Sequence, residues 1–143
     1  MSRRHMDRTG RIEPSARILI VDDDAGIRTV VAEVLNRRGF QVQEAPDGLS
    51  VSTALHTGAF SFDLVVLDWK MPALDGLAVL QQIRTFAPET LVILISIAAD
   101  DQLRLEALSP GAFEVNRKPM NVGALISVVE RALLHMGRGR TNG

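Results

Sequence analysis

Three runs of Val, Ile and Leu, at residues 18–21, 64–67 and 91–95, contain no polar residue at all. They are too short to cross a membrane and too uninterrupted for strands with one wet face. Such runs suit parallel strands covered on both faces by crossover helices. Gln41–Ala45 alternates polar and apolar residues, as a more exposed strand does. The segment 113–117 is the least apolar and suits a sheet edge.

Helix-period segments separate these runs. Residues 25–38 bring Ile27, Val30, Val31, Val34 and Leu35 to one face and stop at Gly39. Residues 48–57 do the same with Leu49, Val51, Ala54 and Leu55 before Gly58. Residues 75–86 align Leu77, Leu80 and Ile83, with Pro88 beyond the end. The segment 100–108 is short and mostly polar, carrying Leu103, Leu105 and Leu108. Residues 121–136 follow Pro119, have Asn121 as a natural N-cap, and carry Val122, Leu125, Ile126, Val129, Leu133 and Met136. Five strand–helix units in alternation predict an α/β fold, a doubly wound parallel sheet with right-handed crossovers. Residues 1–16 and 137–143 read as flexible tails around a single domain at 17–136.

A length of 143 residues suits one domain with a sizeable core. The absence of cysteine excludes disulfides, zinc–thiolate sites and thiol catalysis. Neither a secretory leader nor a membrane span is legible, and the chain is expected in the cytoplasm. The net charge of −1 is uneven: residues 1–17 carry +3 and residues 137–143 carry +2, which leaves −6 on residues 18–136. A body that acidic is a poor nucleic-acid binder.

Each apolar run stops at a residue suited to phosphoryl chemistry. The first enters Asp22-Asp23-Asp24, the second ends at Asp68, the third at Ser96, and 113–116 precedes Arg117, Lys118 and Pro119. In a parallel sheet these strand ends share one crevice, the place where open α/β folds bind ligands. Clustered carboxylates there invite a hard divalent cation, and oxygen ligands with retained waters suit Mg²⁺. With its charge offset, Asp68 can attack phosphorus, Lys118 can supply a positive charge and Ser96 a hydroxyl. Asp24 is placed to serve the start of the following helix. His5, His56 and His135 have no partner at catalytic spacing and read as surface residues.

The chain resembles the receiver domain of bacterial two-component response regulators, over roughly residues 17–136. Ile18–Asp23 is similar to that family's acidic strand end. Asp68-Trp69-Lys70-Met71-Pro72 with Asp75-Gly76 resembles its phosphoacceptor signature, Ser96 falls at its Ser/Thr position, and Gly111-Ala112 with Lys118-Pro119 resembles the approach to its lysine. The resemblance implies a flavodoxin-like (βα)5 fold with a five-stranded parallel sheet in the order 2-1-3-4-5. It implies Asp68 as phosphoacceptor, Ser96 and Lys118 as phosphoryl-binding groups, and Mg²⁺ held by Asp22, Asp23, Asp68 and the Lys70 backbone carbonyl. The implied donor is a sensor histidine kinase or histidine phosphotransfer protein. The implied output is an effector contacted through the face of residues 100–108, 113–117 and 121–136, a face that also serves homodimers. The domain would transfer phosphate only to and from itself, without turning over a substrate.

Three positions depart from the family pattern. Ile97 replaces a small residue, Val115 replaces an aromatic one, and Asn116-Arg117 replace residues that are commonly apolar. Val115 predicts a switch that moves the Ser96 loop and the adjoining face without an aromatic rotamer change. Ile97 and Val115 also motivate an alternative, a pseudo-receiver acting as a phosphorylation-independent interaction module. An aspartyl-phosphate phosphatase is disfavoured because Lys70 stands where such enzymes carry a second aspartate. A dinucleotide-binding domain is disfavoured because no Gly-rich loop follows the first strand.

Overall fold

The computed structural model describes residues 4–6, 12–14, 16–69, 71, 74–96, 114–117 and 121–141. Lys70, Lys118, Ile97 and the expected helix at 100–108 lie outside the described residues. Five strands, β3 (Arg17–Val21), β4 (Gln41–Ala45), β5 (Leu64–Asp68), β6 (Leu91–Ser96) and β7 (Glu114–Arg117), form one parallel sheet in the order β4-β3-β5-β6-β7. Counted within the sheet, this is the order 2-1-3-4-5. A separate antiparallel pair, β1 (Arg4–Met6) and β2 (Ile12–Pro14), precedes it. That pair falls in the segment read from sequence as a tail; three residues per strand are too few for periodicity to register.

The uninterrupted aliphatic runs have a two-sided use. Leu19, Val21, Val65, Leu67, Val92 and Leu94 pack on one face with Val51 and Leu55 of α2 (Gly48–Thr57) and Val79, Leu80 and Ile83 of α3 (Gly76–Phe86). Their alternate neighbours Ile18, Ile20, Leu64, Val66, Ile93 and Ile95 pack on the other with Val31 and Leu35 of α1 (Ala25–Arg37). The last helix, Val122–Thr141, adds Leu125, Ile126, Val129 and Ala132 to that second layer. Each such side chain contributes about 2 kcal/mol of burial, so the central strands hold both layers together. β4, as its alternation predicts, keeps Gln43 and Glu44 exposed.

Local chemistry sets the helix ends. Asp24, Asp47 and Asp75 cap α1, α2 and α3, each accepting a hydrogen bond from the backbone N–H three residues on. Asn121 does the same for the last helix through Ala124 N–H at 2.7 Å. Gly39, at φ 95°, ends α1: its N–H donates to Asn36 O and Phe40 N–H donates to Leu35 O.

Two apolar faces are narrower than their sequence stripes. Ile27 and Val30 of α1 and Leu49 of α2 are exposed, because only one edge of each stripe reaches the sheet. The last helix runs beyond residue 136, its backbone pattern continuing to Thr141. Among the described residues, no helix is long and apolar enough to cross a membrane.

Candidate functional site

Strand parity brings two of the carboxylates together. Ile20 pairs with Val66 in the parallel ladder. Two residues further, Asp22 and Asp68 leave adjacent strand ends on the same face. They do so where the strand order reverses, between β3 and β5, which is the ligand crevice of doubly wound sheets. Asp23 joins them from the turn. One carboxylate oxygen from each of Asp22, Asp23 and Asp68 lies within 4.8 Å of the others. Asp22 and Asp68 are each only 6% exposed, whereas Asp23 is open to solvent.

The backbone around these groups is held tightly. Asp22 N–H donates to Ala45 O at 3.3 Å, and Asp24 N–H donates to Asp22 Oδ1 at 2.9 Å. Asp24 itself turns away to accept from Ile27 N–H at 3.1 Å, the capping role its position predicts. Beyond Asp68, Trp69 N–H donates to Ile95 O at 2.8 Å, so the ladder continues one residue past the acid. Gly76 N–H then donates to Trp69 O at 2.7 Å. A Cβ on Gly76 would lie 2.7 Å from both Asp68 O and Trp69 Cα, so only glycine lets α3 start this close to the acidic strand end.

Ser96 ends β6 one residue beyond Ile95, the ladder partner of Asp68, and is buried. The structure therefore assembles Asp22, Asp23 and Asp68 and sets Ser96 on the neighbouring strand end. Lys118 and the Lys70 carbonyl fall outside the described residues.

Three carboxylates this close repel one another electrostatically. A hard divalent cation converts that repulsion into ligation, and the all-oxygen donor set, partly buried and partly open to water, fits one.

The model of the response regulator receiver domain matches residues 18–130. The chain belongs to the receiver family. It is similar to the regulatory protein AtoC of Escherichia coli, with 37% identity over 118 residues that cover 82% of this chain and 25% of AtoC. The DNA-binding transcriptional regulator NtrC of Klebsiella pneumoniae is 34% identical over 116 residues, covering 81% of this chain and 24% of NtrC. The CheY-like receiver domain from Methanospirillum hungatei superposes with a TM-score of 0.81 at 25% identity, over 87% of this chain and 98% of that one. The receiver thus spans about a quarter of the length of these two sequence relatives.

Sequence reasoning missed Arg28. Its Nη1 donates to Asp22 O at 2.7 Å and its Nε to Glu44 Oε1 at 3.2 Å. A basic residue in the first turn of a helix, where the macrodipole disfavours it, was the available signal.

Proposed function

We propose that this receiver is a Mg²⁺-dependent switch that takes a phosphoryl group onto Asp68 in two-component signalling. The observation that carries it is the meeting of Asp22, Asp23 and Asp68 within 4.8 Å at the topological switch point of the sheet. A carboxylate oxygen of Asp68 attacks the phosphorus of a phosphohistidine; an O–P bond forms, the P–N bond breaks and the imidazole departs with the electron pair. Asp22 and Asp23, with Asp68 and the Lys70 carbonyl, would hold the cation, which when bound would supply charge neutralisation at the phosphoryl oxygens. Ser96 donates its hydroxyl to one phosphoryl oxygen, and Lys118 places an ammonium on another. The chemistry stays on the domain itself, which modifies and restores its own aspartate.

The donor is a sensor histidine kinase or histidine phosphotransfer protein in the cytoplasm. The output is an effector read through residues 100–108, 113–117 and 121–136, in line with regulatory and DNA-binding transcriptional relatives of which the matched segment is about a quarter. The −6 charge of residues 18–136 argues that any nucleic-acid contact belongs to the effector and not to the receiver.

Incubation with acetyl phosphate and Mg²⁺, read by intact-mass spectrometry, tests the reading. The unaltered protein should gain one phosphoryl group and Asp68→Asn none. Equal labelling of both, or none of either in folded protein, would refute it.

A further inference from the structure

We propose that Arg28 and Glu44 act as a positioning pair for the acidic site, fixing the Asp22 peptide at the separation from Asp68 that a shared cation requires. This rests on the reading of the carboxylate cluster as a cation site. Neither residue belongs to that cluster.

Asp22 lies one residue past the last β3 ladder position, where splaying of the strand end would separate it from Asp68. Repulsion from Asp68 favours that splaying whenever the cation is absent. Opposing it, Asp22 N–H is tied to β4 through Ala45 O, and Asp22 O is tied to α1 through Arg28 Nη1 at 2.7 Å. The guanidinium is itself anchored to β4, with Nε 3.2 Å from Glu44 Oε1, and Thr29 Oγ1 reaches the same oxygen at 3.5 Å. Both backbone polar groups of Asp22 therefore report to β4, one directly and one through α1. The Arg28 side chain is only 16% exposed, against 37% for Glu44, so this ion pair is screened less than an ordinary surface pair. A planar fork that serves a carbonyl and a carboxylate together is a task for arginine; an ammonium is a single point of charge.

Charge and geometry predict opposite signs, which makes the idea testable. Arg28 is a cation near a cation site, so removing its charge alone would tighten Mg²⁺ binding. If positioning dominates, removal weakens binding. Mg²⁺ titrations of the full chain, followed by Trp69 fluorescence and by calorimetry, compare unaltered protein with Arg28→Met, Arg28→Lys and the charge-balanced Arg28→Met/Glu44→Met. Thermal melts of the Mg²⁺-free proteins serve as the folding control. The balanced double variant should lose affinity by about tenfold, as outer-shell partners of metal ligands do. Arg28→Met should also weaken binding, with Arg28→Lys in between, and the loss should persist at high salt. Unchanged or tighter binding in the folded double variant overturns the proposal while leaving the cation site intact. No Mg²⁺ binding by the unaltered protein overturns both. If the double variant does not fold, Arg28→Lys carries the test: weaker binding supports positioning, and binding equal to the unaltered protein refutes it.

Discussion

At the start of β3, Arg17 N–H donates to Asp63 Oδ2 at 2.8 Å, and Asp63 N–H returns a bond to Arg17 O at 2.8 Å. The Arg17 guanidinium carbon sits 5.2 Å from the centroid of the Phe62 ring, which meets Phe60 edge-on, and Thr90 Oγ1 donates to Phe62 O at 2.7 Å. At the far ends of the same two central strands, Asp22 and Asp68 converge on Asp23, like charge against like. One end of the sheet matches these polar groups to complementary partners. The other spends folding energy to hold groups that repel until a ligand arrives. This contrast separates what keeps the fold together from what the fold is for.

The comparison breaks most readily at Gly76. Gly76→Ala forces a Cβ to within 2.7 Å of Asp68 O. It should cost about 2–3 kcal/mol in urea unfolding, as overpacking does, and also slow acetyl-phosphate labelling. A variant with unaltered stability and labelling would show that α3 can back away without disturbing Asp68.

Thr90→Val acts at the complementary end. Removing the donor to Phe62 O should destabilise by about 1–2 kcal/mol while leaving Mg²⁺ affinity and labelling unchanged. Altered Mg²⁺ affinity would mean that the two ends are mechanically coupled.

Asp22→Asn should do the reverse of an ordinary core substitution. In Mg²⁺-free buffer it relieves repulsion and should raise stability by about 1 kcal/mol, measured by denaturant midpoint. Saturating Mg²⁺ should cancel or invert that gain, since the unaltered protein alone keeps the full ligand set. A lower midpoint without Mg²⁺ would show that the acids are not frustrated.

The smallest effect belongs to Asp47, the α2 cap. Its carboxyl is held below the usual 3.8 by the Ser50 backbone N–H and then by the Ser50 hydroxyl. A depressed folded-state pKa contributes stability that is present above pH 3.8 and lost as pH falls through the lower value. Asp47→Ala should therefore cost under about 1 kcal/mol at neutral pH, and the gap from the unaltered protein should close in acid. A gap that persists in acid would assign the effect to the loss of the side chain rather than to its charge.

Much of this was legible in the chain. Runs such as Leu91–Ile95 carry a two-sided burial that no solvated strand would have, and Asp24 and Asn121 announce their helices because a cap is a contact within four residues. The convergence of Asp22 and Asp68 was foreseeable only through the strand order that the family resemblance implies. Ile27, Val30 and Leu49 misled, since periodicity finds a stripe but not which edge of it a sheet will cover. Arg28 showed only as a base at a helix start; its partners, Asp22 O and Glu44, are set by how α1 and β4 come together.

The sequence alone determined the alternation of strands and helices, the caps, and the kind of residue at each strand end, all of which depend on neighbours a few positions away. Tertiary structure decided which of those ends meet, which apolar stripes stay wet, and how the Asp22 peptide is braced. Those outcomes depend on strand order and helix placement, through contacts between residues that chain distance does not relate.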